Sequence, residues 1–320
     1  MAEQKPVALD PRSLSARLWA YQAIRFPLAS QGALIALFAL ACVCFGALTR
    51  VTPGAPPLET TFVVLIVVFL LFFQFRVADE HRDYEEDLRL RPELPVPSGV
   101  ITLPELDVFV VGAMAIQIVL TAALHPPLIA LLFLPWLWTF LVRNDFFDRD
   151  LLKRRPLLSL ALHLVFMPFV ALYAAAAGQL PETGALSPAL PVFLGLSAAC
   201  GMAMEFARKC RAQGDERGGV VTYSGLWGTV RAGMATASAV AGIVVLGALS
   251  FLATGAQGGW YLPATALGFG AFLAAAAYAE RATPQRANAL LGWVAGAAAI
   301  TYLSVGVLPY LVRAFFSAAA

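Results

Sequence analysis

The chain has 320 residues, is 60% hydrophobic and only 13% charged, and has a mean hydropathy of +0.75. Soluble domains carry about 25% charged residues, so this composition excludes a soluble globular enzyme. The formal net charge of +2 matters less than where the charges sit, and no nucleic-acid partner is expected.

The first 25 residues are mostly polar and lack a cleavage pattern, so no signal peptide is expected there. Leu14, Leu18, Tyr21 and Ile24 share a helical face, which suits either an interfacial amphipathic helix or a tail packed on the bundle. Nine apolar runs follow, at 28–48, 60–75, 108–124, 128–142, 157–178, 190–204, 233–253, 261–279 and 290–312. Open strands cannot cross a bilayer and no barrel alternation is present. The expected fold class is therefore all-α: a polytopic membrane protein with nine transmembrane helices around a central cavity. Residues 1–27 would form a cytoplasmic or interfacial tail and residues 28–316 a single transmembrane domain. Charge supports the count. With the N-terminus inside and the C-terminus outside, twenty Lys and Arg side chains lie in inside segments and only Arg50 and Arg313 outside. A bacterial inner membrane is the expected location. The two long charged loops lie four spans apart, which hints at two four-span halves plus a ninth helix.

After the second run, residues 79–87 place six acids in nine positions. Asp79, Asp83 and Asp87 recur every four residues, and Arg89, Arg91 and the helix-breaking PELPVPSG follow. Stacked carboxylates repel unless a proton or cation intervenes. Hard divalent cations take oxygen ligands and bridge to phosphates. After the fourth run, RNDFFDRDLLKRRP carries a basic cluster, Lys153, Arg154 and Arg155, suited to phosphate or anionic headgroups. Asn144, Asp145 and Asp148 resemble a metal motif, but Asp145 and Asp148 are expected to pair with Arg143 and Arg149. His163, in the fifth run, reads as a hydrogen-bonded packing residue, and Trp136, Trp138 and Trp260 as packing or interfacial side chains. After the sixth run come Glu205, Arg208, Lys209, Asp215, Glu216, Gly218–Gly219 and Thr222, the last a helix cap or a phosphate ligand. Cys42, Cys44, Cys200 and Cys210 have no metal-ligand spacing.

These loops resemble the UbiA family of intramembrane prenyltransferases. The frame NDxxDxxxD appears as Asp79, Glu80, Asp83 and Asp87, followed by Arg91-Pro92 and Ser98-Gly99. The second motif, DxxxGxxTxxxxxG, matches Asp215, Gly219, Thr222 and Gly228, and Lys153-Arg154 matches a pair entering the fifth span. The chain departs from the family where an upstream DxxD is replaced by Arg208 and Arg211. The resemblance implies transfer of a prenyl group from an isoprenoid diphosphate to a lipophilic acceptor, aromatic or a quinone precursor, within the lipid bilayer. It implies Mg²⁺ held by Asp79, Glu80, Asp83, Asp87, Glu205 and Asp215. Asp79, Asp83, Asp87 and Asp215 would be catalytic. Arg91, Lys153, Arg154, Arg208 and Lys209 would bind the diphosphate, and Tyr84, Phe146 or Phe147 would face the allylic cation. The alternatives are a divalent-cation or small-molecule transporter and a non-catalytic isoprenoid-binding homologue.

Overall fold

The structure, a computed structural model, describes residues 12–216, 222–256 and 259–317. Among the described residues all regular elements are helices. Eight are long and apolar enough to cross a membrane: α2 (Leu28–Leu48), α3 (Leu58–Leu90), α4 (Leu103–Leu124), α7 (Pro156–Ala177), α8 (Leu190–Arg208), α10 (Thr229–Ala253), α11 (Gly259–Glu280) and α12 (Pro284–Arg313). The fourth apolar run forms a shorter helix, α5 (Leu128–Arg143), of 16 residues. The expected nine spans are therefore eight helices of span length plus this shorter one. Shorter helices lie between or before them, among them α1 (Leu14–Arg25), α6 (Arg149–Arg154) and α9 (Tyr223–Trp227). The protein is thus an integral, multi-pass helical membrane protein.

The chain divides into two compact units. The first comprises residues 1–36 and 65–166, the second residues 37–64 and 167–320. This division differs from two sequential four-span halves, because α2, α3 and α7 each contribute residues to both units.

In the first unit, α1 is not a loose tail. Ser13 caps it, and Tyr21 is buried with Val77, Val96, Ile101 and Leu106. Trp19 stays exposed, and of the residues expected to share one face Tyr21 is buried while Leu14 and Ile24, toward the two ends, are exposed. Residues 1–11 of the expected tail lie outside the described residues. Inside the apolar layer, Gln117 accepts from Gln74 at 3.0 Å and from Trp136 at 2.9 Å, and donates to the Val67 carbonyl at 3.1 Å. Such bonds tie α3, α4 and α5 together where no water can substitute. Proline in the turn after α3 and a capping box at α4, Thr102 with Glu105, set the next helix. Arg17 of α1 then grips Glu105 with two nitrogens, at 3.0 and 2.7 Å.

The second unit relies on small residues. Gly46 of α2 faces the Ala175 carbonyl of α7, and a Cβ there would overlap backbone. Gly306 of α12 meets Ala41 in the same way. Close backbone approach replaces the hydrophobic effect as the source of cohesion in lipid. Phe45 stacks on Phe193 with centroids 4.2 Å apart, filling the space beside the crossing. Replacing Gly46 by Leu should lower stability by about 3 kcal/mol or more. Denaturant titration of the detergent-solubilised protein measures this, and an unchanged midpoint would deny the close α2–α7 approach.

Candidate functional site

Helix α3 continues past its apolar portion as a charged rod up to Leu90. With about 100° of rotation per residue, Asp83 lies about 40° from Asp79, but Asp87 has drifted about 80° away. Glu80 and Asp87, seven apart, differ by only about 20°. Asp83 stands midway, about 40° from both Asp79 and Asp87, and the arginine partners rather than the spacing divide these acids: Arg25 takes Glu80 and Asp87, and Arg82 takes Asp79 and Asp83.

The first pair, Glu80 and Asp87, is turned inward, each with a side chain 2% exposed. Arg25, the last residue of α1, donates from Nε to Glu80 at 2.6 Å and reaches Asp87 from Nη2 at 3.3 Å. Arg76 donates twice to the same Glu80 oxygen, at 3.0 and 2.9 Å, and Arg91 pairs with Asp87 at 2.5 Å. Three guanidinium groups thus neutralise two buried acids, while Asp83 is held by a different one, Arg82. As metal ligands, Glu80 and Asp87 are therefore poorly disposed here.

The second pair, Asp79 and Asp83, is half-buried and shares one guanidinium. Arg82 holds Asp83 at 2.8 Å from Nε and 3.2 Å from Nη2, and its Nη2 lies 3.2 Å from Asp79. On the far side Arg82 Nη1 bonds to the ring of His163 on α7. His163 Nε2 also lies 3.3 Å from Asp79 Oδ1. With Nε2 protonated the ring donates to Asp79, while Nδ1, 3.2 Å from Arg82 Nη1, accepts from Arg82. Phe75 stands edge-on to His163 at 5.4 Å and stacks on Phe166 at 4.0 Å, giving the acid pair an aromatic wall.

The loop before α6 borders the same pair. Asp145, Phe146 and Phe147 have φ values of 47, 52 and 61°, a run of three left-handed non-glycine residues. Each costs energy, and such strain concentrates at functional sites. The turn directs Asp145 to Arg149, 3.4 Å away, and close enough to Arg82 and Asp83 to feel both charges. Burial pushes the Asp145 carboxyl up, against the pull of Arg82 and Arg149. Asp148 caps α6 through the Leu151 amide, and Arg143 pairs with Asp107 rather than with Asp145 or Asp148. Lys153 and Arg154 are exposed on α6.

The expected aromatic set is dispersed. Tyr84 packs against the Tyr21 core, Phe146 packs on Trp138 at 5.3 Å, and Phe147 is exposed. The reading from sequence missed Arg25, Arg82, Phe75 and Phe166. It read His163 as hydrogen-bonded packing but had no signal for its partners. The i, i+3 spacing of Asp79 and Arg82 was the one available clue.

In the second unit, Glu205 at the end of α8 binds Arg208 at 2.6 Å and Lys209 at 2.9 Å. Lys209 also lies 5.4 Å above the Tyr223 ring. Burial and the Glu205 charge push the Tyr223 phenol up. Glu216 accepts from Thr222 at 2.5 Å and Ser224 at 2.7 Å, while Thr222 caps α9. Thr222 is thus a helix cap. Ser224 also receives the Arg211 amide, and Tyr278 donates to the Arg211 carbonyl, so this loop is pinned from several sides. Asp215 is exposed, and Gly218 and Gly219 lie outside the described residues.

Among the described residues no three His, Cys, Asp or Glu side chains form a metal-holding group. Asp79 and Asp83 nevertheless fit Mg²⁺, which commonly takes one or two carboxylates and fills its remaining positions with water and substrate phosphate. Their four oxygens are hard donors, partly open, and already drawn toward one cation.

Fold and site together define a polytopic membrane protein with an acid-rich centre at the polar end of a long helix. The chain matches the sequence model of the UbiA prenyltransferase family over residues 39–299, and it belongs to that family. No curated protein matches it. Its fold is similar to a solved structure described as giving structural and mechanistic insights into the biosynthesis of digeranylgeranylglyceryl phosphate synthase in membranes. That similarity has a TM-score of 0.65 and 16% sequence identity, covering 92% of this chain and 99% of the other.

The two acid pairs should respond differently to substitution. Glu80→Gln strands buried guanidinium charge and should cost about 3–5 kcal/mol. Asp83→Asn breaks a partly exposed contact and should cost about 1 kcal/mol or less. Denaturant titration of the two variants distinguishes them, and equal losses would refute the division.

Proposed function

We propose that the chain catalyses Mg²⁺-dependent transfer of a prenyl group from an isoprenoid diphosphate to a lipophilic acceptor, aromatic or a quinone precursor. The observation that carries this reading is the joining of Asp79 and Asp83 on one cation beside the Phe75–Phe166 stack, in a chain of this family. The site would sit at the cytoplasmic face of a bacterial inner membrane, a placement supported by the distribution of Lys and Arg in the sequence.

Asp79 and Asp83 would hold the metal, which when bound neutralises the diphosphate and favours its departure. His163 orients Asp79, and the packing of its ring on Phe75 fixes that orientation. The allylic C–O bond breaks and its electron pair leaves with the diphosphate. The acceptor then bonds to the allylic carbon and gives up a proton. The partly exposed Phe75, backed by the buried Phe166, offers negative π density to the allylic cation. Arg91, Lys153, Arg154, Arg208 and Lys209 are the candidate cations for the diphosphate, and Asp215 and Glu205 the remaining candidate acids. Glu80 and Asp87 act instead by holding the helix that carries the site.

Purified protein in nanodiscs, given Mg²⁺, labelled prenyl diphosphates of several chain lengths and a panel of acceptors, should release diphosphate and form a prenylated product. Chelation should abolish release and Mg²⁺ restore it. Asp83→Asn should lower kcat by about a hundredfold or more. Full turnover in that variant would refute the assignment. Lys209→Ala should raise KM for the prenyl diphosphate by about tenfold with a smaller change in kcat, and an unchanged KM would remove Lys209 from the binding set.

A further inference from the structure

Arg82 occupies the electrostatic position that the proposed reaction needs for a metal. Its Nε and Nη2 engage both oxygens of Asp83, and Nη2 also approaches Asp79. A guanidinium and a divalent cation cannot share these lone pairs, since each demands the same oxygens and the two cations repel. The surroundings provide for its departure. When Arg82 withdraws, His163 Nε2 still stands 3.3 Å from Asp79, so the carboxylate keeps a partner. A guanidinium stays protonated throughout and presents a fork that matches phosphate oxygens.

We propose that Arg82 is an exchangeable internal cation: it closes the Asp79–Asp83 pair in the resting protein, yields it to the divalent metal, and then binds the diphosphate that arrives with that metal. This deepens the prenyl-diphosphate reading and rests on it for the identity of the anion. The exchange makes metal and diphosphate binding mutually dependent. Metal alone must displace Arg82 without compensation, whereas metal with diphosphate gives the displaced guanidinium a new partner. Linkage then requires each ligand to strengthen the other. An otherwise costly acid pair in a nearly apolar protein also keeps a counter-ion between turnovers.

The test compares wild type with Arg82→Gln, and with Arg82→Lys as a variant that keeps the charge but loses the fork. Folding is checked first by size exclusion and thermal midpoint. Mn²⁺ binding in the absence of any substrate is read by electron paramagnetic resonance. Arg82→Gln should bind Mn²⁺ about tenfold more tightly than wild type. Adding Asp79→Asn and Asp83→Asn to that variant should remove the gain. Equilibrium binding of labelled geranyl diphosphate at saturating Mg²⁺ should weaken about tenfold in Arg82→Gln. Arg82→Lys should fall between the two in both measurements and serves alone if the glutamine variant does not fold. Mn²⁺ affinity that is unchanged or lower in a folded variant overturns the exchange. Unchanged geranyl diphosphate affinity overturns the second role of Arg82. If wild type binds no prenyl diphosphate, the functional reading fails, while the Mn²⁺ comparison still decides whether Arg82 competes for the acids.

Discussion

The structure turns on Arg25 binding Glu80 and Asp87. Two carboxylates carried into a buried position on α3 would be untenable alone, because the desolvation of each ion costs several kcal/mol. A guanidinium at the very end of α1 meets both at once, with Arg76 and Arg91 completing the neutralisation. This contact fixes the rotation of α3 about its axis. With Glu80 and Asp87 turned toward α1, Asp79 and Asp83 meet Arg82 instead, and Asp79 also meets His163. The short N-terminal helix therefore governs the disposition of the candidate site without contributing a side chain to it.

Acids and arginines meet at successive steps up this helix. Arg76 serves Glu80 and also stands 3.9 Å from Asp79, while Arg82 serves Asp79 and Asp83. Asp107, at the start of α4, draws both Arg143 and His81. The acid run looks like excess negative charge in the sequence, but in the fold it is matched by arginines on neighbouring turns and neighbouring helices. This balance explains why so many acids can lie at the polar end of apolar spans. It also shows why proximity of acids in sequence is a weak guide to a metal cage.

Much of the architecture was legible beforehand. Apolar run length and the absence of barrel alternation identified a helical membrane protein, and the two loop motifs pointed to the family that the sequence match establishes. Run 128–142 was read as a span although α5 has only 16 residues, because apolarity reports burial in lipid or protein alike and length alone separates them. The four-residue spacing of Asp79, Asp83 and Asp87 suggested one face. The true period is 3.6, so the third member drifts toward Glu80 over two turns. The partnership of Arg25 with α3 bridges 55 residues in sequence to Glu80 and was not readable, since long-range pairing leaves no local pattern. His163 was equally obscure, because one histidine in an apolar run has many possible partners and only the packing of α7 selects Asp79 and Arg82.

The separation of a structural acid pair from a ligand pair is tested most directly by Mn²⁺ hyperfine spectroscopy with a prenyl thiodiphosphate bound, applied to protein carrying ¹³C-labelled Asp carboxylates. The account predicts ¹³C couplings that weaken in Asp79→Asn and in Asp83→Asn, vanish when both are replaced, and persist in full in a folded Asp87→Asn variant. Couplings lost in Asp87→Asn but retained in Asp79→Asn and Asp83→Asn would contradict it.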